Sequence, residues 1–98
     1  MNKILHPPNN EINYLEADIN YTIFHLNDGK KIISAFTLKK YETDYRHAGF
    51  LRVSKSFLLN PEFVKSIEKE GRKVTVLMQN GAKMLVSRRK MFLISDFL

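Results

Sequence analysis

Two short turn signals limit what this chain can fold into. Asn27-Asp28-Gly29 stands between Tyr21–Leu26 and residues 31–35, and Asn80-Gly81 stands between residues 73–79 and 83–86. Asp-Gly and Asn-Gly supply residues that tolerate the positive φ of tight hairpins. The flanking segments alternate, with Tyr21, Ile23 and His25 against Thr22, Phe24 and Leu26, and Val74, Val76 and Met78 against Thr75 and Leu77. A period of two is that of a strand with two different faces. A chain holding two such hairpins is committed to antiparallel β-structure.

The remaining segments fit that frame. Residues 1–10 read as a lead-in or linker end, because Pro7-Pro8 blocks helix and Asn9-Asn10 favours a turn. The domain proper is expected over residues 11–98. Residues 12–17 read as a strand joined to Tyr21–Leu26 by a turn at Asp18-Ile19-Asn20. Thr37 is placed to cap a helix over Leu38–Arg46, with Leu38, Tyr41 and Tyr45 on one face. Ala48-Gly49 ends it. Residues 50–53 begin a further strand, Pro61 interrupts, and residues 63–69 resume extended structure up to a turn at Glu70-Gly71-Arg72. Ser87 is placed to cap a closing helix with Met91, Ile94 and Leu98 on one side. The expected fold is mainly β, as a compact sandwich or stacked small antiparallel sheets, with one short internal helix and a C-terminal helix. No period of 20–50 residues repeats.

Charge narrows the function. Lys and Arg outnumber Asp and Glu by six over 98 residues, and residues 50–98 hold all of that excess. A polyanion such as nucleic acid is the partner this favours. No apolar run approaches the roughly 20 residues that span a bilayer. Ile4-Leu5 is too short for the apolar region of a signal peptide. Cysteine is absent, which rules out disulfides and thiolate metal sites and fits the cytosol. His6, His25 and His47 lack neighbours at metal-ligand spacing, Ser54, Ser56 and Ser87 lack a nucleophile motif, and the four glycines are isolated turn residues. The sequence implies neither an enzyme nor a cofactor nor a metal.

The excess cations are spliced into apolar residues. Phe50-Leu51-Arg52-Val53-Ser54-Lys55-Ser56-Phe57-Leu58-Leu59-Asn60 is one such stretch, and Leu85-Val86-Ser87-Arg88-Arg89-Lys90 is the other. A cation on a rigid support can be aimed, whereas one on a loose tail cannot. Strand alternation would put Lys55 on an apolar face, so the strand is expected to end there, leaving Ser54-Lys55-Ser56 as an exposed turn. For Arg52 a partner acid, and for Ser56 nearby backbone groups, are alternatives to a DNA contact. Arg88-Arg89-Lys90 would fill the first turn of the closing helix, where the helix dipole disfavours cations unless an anion joins them. If the helix begins later, the same residues form a solvated basic loop. Either way they stay exposed, and Arg is well suited to guanine O6 and N7.

Taken in order, these residues resemble the LytTR DNA-binding domain of bacterial transcription regulators. Tyr14-Leu15-Glu16-Ala17, Asn20-Tyr21-Thr22, Thr37-Leu38-Lys39-Lys40, residues 50–60 and Val86-Ser87-Arg88-Arg89 carry the resemblance, over about residues 11–96. Ser54 stands where that family commonly has His. The resemblance implies an elongated stack of small antiparallel sheets that binds double-stranded DNA through loops. It implies base contacts from Asn20, Lys55 and Arg88 and phosphate contacts from Arg89 and Lys90; Arg52, Ser54 and Ser56 are further candidates for DNA-backbone contacts. It further implies paired promoter sites, a homodimer on DNA, an upstream receiver domain or regulatory partner in a two-component system, and no membrane insertion. The other reading of the residues is an RNA- or protein-binding β module. Lys65, Lys69 and Lys83 are further candidates for phosphate contacts.

Overall fold

The computed structural model describes residues 7–95. These residues form two antiparallel sheets, one with strands in the order β3-β2-β1-β5-β4 and one in the order β6-β7-β8. In chain order the strands are β1 (Ile12–Asp18), β2 (Tyr21–Leu26), β3 (Lys31–Ser34), β4 (Leu51–Arg52), β5 (Phe57–Leu59), β6 (Val64–Glu70), β7 (Lys73–Met78) and β8 (Lys83–Leu85). Helix α1 spans Leu38–Arg46 and a short α2 spans Met91–Ile94. The molecule is elongated, with principal extents of 51 × 25 × 23 Å.

Both hairpins close at the expected glycines, since Gly29 and Gly81 hold φ of 87° and 93°. Asp28 Oδ1 accepts from the Lys30 amide and Asn80 Oδ1 from the Ala82 amide, which tightens each turn. Residues 9–10 are tied into the domain. Asn9–Glu11 forms a 3-10 turn, Asn27 donates to the Asn10 carbonyl, and the buried Asn60 donates to the carbonyls of Asn9 and Ile12. The first six residues of the expected lead-in lie outside the described residues, as does Leu98.

The five-stranded sheet lies between two cores. On one face, α1 lays Leu38, Tyr41 and Tyr45 over Ile12, Leu15, Phe24 and Leu58. Tyr41 meets Phe24 edge-on at 4.9 Å and shares a hydrogen bond with the Ser34 hydroxyl. On the other face, Tyr14, Leu59 and Val53 meet Val74, Val76, Met78, Met84 and Val86 of the second sheet and Ile94 of α2. Adjacent residues therefore serve opposite cores, Leu58 one and Leu59 the other, as strand alternation requires. A bulge at Asn13 in β1 keeps Ile12 and Leu15 in the first core and Tyr14 in the second.

Burial, with the nearby Tyr41 and Asp44 adding to it, pushes the Tyr45 phenol up to about 12 from its ordinary 10. A raised value means the folded state holds the proton longer than the unfolded chain does. Its contribution to stability is thus intact below pH 10 and lost as pH rises to about 12. Denaturant titrations of the wild type and Tyr45→Phe at rising alkaline pH are expected to diverge in that window. The wild type should lose the additional stability.

Candidate nucleic-acid interface

The central loop is built by alternation and one guanidinium. β4 and β5 pair through Arg52↔Leu58 and Leu51↔Leu59, and the Val53 amide donates to the Phe57 carbonyl at 3.1 Å. Leu51 and Val53 face the second core. Arg52, between them, turns to the opposite side, where it meets α1. Its Nε donates to the Ser54 carbonyl at 2.7 Å and its Nη2 to the Lys55 carbonyl at 2.7 Å. Its Nη1 donates to Glu42 Oε1 on α1 at 2.9 Å. Ser54 Oγ accepts from the Ser56 amide at 3.2 Å. Residues 54–56 thus form the expected turn, and the Lys55 side chain is left exposed. Arg52, expected against the DNA backbone, is found holding the loop from behind, and the partner-acid alternative describes its geometry.

The second basic loop is attached to the first. The Ser87 amide donates to the Val53 carbonyl at 2.8 Å and the Val86 amide to the Val74 carbonyl at 2.9 Å, with Val86 buried between them. Arg88–Lys90 then makes a 3-10 turn, and α2 begins only at Met91. Ser87 precedes that turn without a side-chain cap bond. This departs from a helix starting at Arg88, and a four-residue α2 offers little dipole to repel or recruit charge. The cations stay exposed or half-exposed on the turn.

The two loops open on one concavity of about 510 Å³, lined by Ser54, Lys55, Ser87, Arg88, Arg89 and Lys90 with Glu42 and Arg52 at its wall. Among the described residues, Glu42 is the only carboxylate in that lining, and Arg52 occupies it. Among the described residues, no ion pair engages Lys55, Arg88, Arg89 or Lys90. A cluster of cations without acidic partners is an anion-seeking surface.

The first hairpin reaches the same rim. The Ala17 amide donates to the Ser56 carbonyl at 2.8 Å, and Glu16 pairs with Phe57, so the Ile19-Asn20 turn projects past the central loop. Asn20 is exposed at that tip. The three expected base-contacting residues therefore lie along one strand-end rim of the five-stranded sheet and the loop bonded to it, in the order Asn20, Lys55, Arg88. Two further cations join them that the sequence did not single out. Arg72, with Lys69, borders a cleft of about 580 Å³ that Arg88 also lines, and Arg46 shares a hollow of about 300 Å³ with Lys90. Arg72 was legible as a turn residue only, since nothing local says which end of the sheet faces a ligand. Lys65 and Lys83 sit near the opposite end, by the Asn80-Gly81 turn, as the register of β6, β7 and β8 shows.

The histidines are otherwise engaged. His25 stacks on Tyr14 at 4.2 Å and its Nε2 meets Glu16 Oε1 at 2.8 Å, while His47 follows α1 in solvent. His6 lies outside the described residues. Among the described residues, no group of three His, Asp or Glu is arranged to hold a metal ion, and no helix is long and apolar enough to cross a membrane.

The sequence matches the LytTr DNA-binding domain family over residues 2–98. The chain belongs to this family of DNA-binding domains. Among solved structures it is similar to the LytTr DNA-binding domain of a Bacillus cereus protein designated a methyl-accepting/DNA response regulator. The TM-score is 0.80 at 22% identity, covering 92% of this chain and 83% of that one. No curated protein matches the sequence.

Arg52→Lys keeps the charge and loses the fork that spans two carbonyls and a carboxylate. It is expected to destabilise the domain by about 1–3 kcal/mol, measured by denaturant unfolding. Exchange of the Ser56 amide should quicken, whereas Glu42→Gln should have the smaller effect on both. An unaltered Ser56 amide would mean that the loop does not depend on Arg52.

Proposed function

We propose that this domain binds double-stranded DNA sequence-specifically, as the output domain of a bacterial transcription regulator, and reads grooves through loops. The observation that carries the proposal is the shared concavity of Lys55 and Arg88, on two loops hydrogen-bonded to each other and free of acidic partners among the described residues. Base contacts fall to Arg88, Lys55 and Asn20, with Arg88 on a guanine edge in a major groove. Ser54, Ser56, Arg89 and Lys90 contact the DNA backbone, and Lys69, Arg72 and Arg46 extend the phosphate set along the rim. Arg52 acts behind this surface. Paired promoter sites, a dimer on DNA and control by a receiver domain belong to the same proposal, and the response-regulator designation of the Bacillus cereus neighbour supports the last of these.

The arrangement of aromatics favours duplex over single strands. Base stacking on a single strand needs a platform of exposed rings. The exposed aromatics among the described residues are Tyr21 on β2, Phe36 ahead of α1 and Phe92 on α2, so they share no sheet face.

Selection from a random duplex pool followed by competition tests the reading, and single-stranded competitor is expected to displace bound duplex poorly. On the selected duplex, Arg88→Ala should weaken binding by about 1–3 kcal/mol and relax preference at one position. Equal weakening on every sequence would remove its base-reading role. Lys90→Ala should lower affinity across sequences and reduce the slope of log K against log salt by about one. An unchanged slope would place Lys90 off the phosphates.

A further inference from the structure

The tip of the first hairpin breaks two rules at one residue. Ile19 has φ of 57°, the one non-glycine with positive φ among the described residues. It is also 90% exposed. In that conformation Cβ crowds the backbone, and a β-branched side chain adopts it least readily. The Ile19-Asn20 connection between paired Asp18 and Tyr21 carries its positive φ at the first position, where hairpins favour glycine. A turn serving only to join β1 and β2 gains nothing from isoleucine there. Strain and exposed apolar surface thus coincide at one residue, a combination that clusters at functional sites.

The position says what buries it. The tip projects beyond the central loop on the cationic rim, through the Ala17–Ser56 hydrogen bond. Ile19 is flanked by exposed Asp18 and Asn20, with the half-exposed Tyr21 next along the chain, so the tip presents a small apolar knob set between polar residues. The Asp18 carboxylate makes the tip a poor phosphate binder and favours base edges over backbone. On a duplex, the apolar group within reach of such a knob is the C5-methyl of thymine in the major groove. Resting on the DNA-binding reading above, we propose that Ile19 reads a thymine methyl, adding a second specificity element to the hairpin beside Asn20.

Deoxyuridine differs from thymidine only by that methyl, which gives a direct test. Each thymine of the selected duplex is replaced in turn, and binding of wild type, Ile19→Ala and Ile19→Gly is measured. The wild type should weaken roughly fourfold at one or two positions, the effect of burying one methyl group. Ile19→Ala and Ile19→Gly should bind the thymine duplex more weakly and be indifferent to deoxyuridine at those positions. Ile19→Gly should retain or raise the melting temperature, because glycine accepts the turn conformation, so its lost affinity cannot come from a lost fold. A wild type indifferent to every replacement, or an Ile19→Ala protein as sensitive as wild type, overturns the inference and leaves the DNA-binding reading standing. A wild type that retains no duplex from the pool overturns both.

Discussion

The basic concavity depends on the tether made by Arg52. One planar guanidinium spans the carbonyls of Ser54 and Lys55 and the carboxylate of Glu42. The loop is thereby fixed to α1 through Glu42 and to its own strand through Arg52. Without it, residues 54–56 would keep the Ser54 hydroxyl bond, the Ala17–Ser56 backbone bond and the strand ends as restraints. Lysine at this position would donate from a single nitrogen, and it could not hold three separated acceptors at fixed angles. The same pairing occupies the one acidic group that the described residues place in the lining of the basic concavity, so a single contact sets both the shape and the sign of the site.

That tether works because the sheet beneath it is clamped from both sides. β5 sends Leu58 to the helix-side core and Leu59 to the core shared with the second sheet. Val53 enters the latter core and its carbonyl accepts from Ser87. A displacement of the central loop therefore disturbs the second sheet, and a displacement of residues 87–90 disturbs the central loop. Close-packed cores transmit such shifts poorly as gradual deformation. The loops behave as one rim, although they come from distant parts of the chain.

Local chemistry made much of the fold readable. Glycine turns located the hairpins because few residues accept positive φ, and the helix over Leu38–Arg46 announced itself by a three-residue apolar face. The exposed turn at Lys55 followed from the conflict between its charge and the alternation around it. Pairings between distant segments were not readable in this way. Nothing in the sequence says that Tyr14 faces Leu59, or that Arg52 reaches Glu42 and not some other acid. The later helix start was one of two readings left open at Arg88–Lys90, because Ser87 resembles a helix cap while its side chain makes no cap bond. The same blindness to tertiary placement grouped Lys65 and Lys83 with Lys69, although the register of the second sheet sends them to opposite ends.

Placement also decides how affinity and selectivity divide. Phosphate contacts depend mainly on how many cations face the duplex, and they tolerate small errors in position. Base contacts do not, since a hydrogen bond weakens steeply when its geometry is lost. A protein reading DNA with loops must therefore remove loop freedom before it binds, or spend part of its interaction energy on ordering them, about 0.5–1.5 kcal/mol for each side chain immobilised. Here the main chain of the central loop is already ordered by Arg52 and that of the second basic loop by Val53 and Val74. On the proposed reading, only the ends of Lys55 and Arg88 remain to be fixed. Loss of the tether should then erode discrimination between sequences before it erodes general attraction to DNA, because the charges persist when their aim does not.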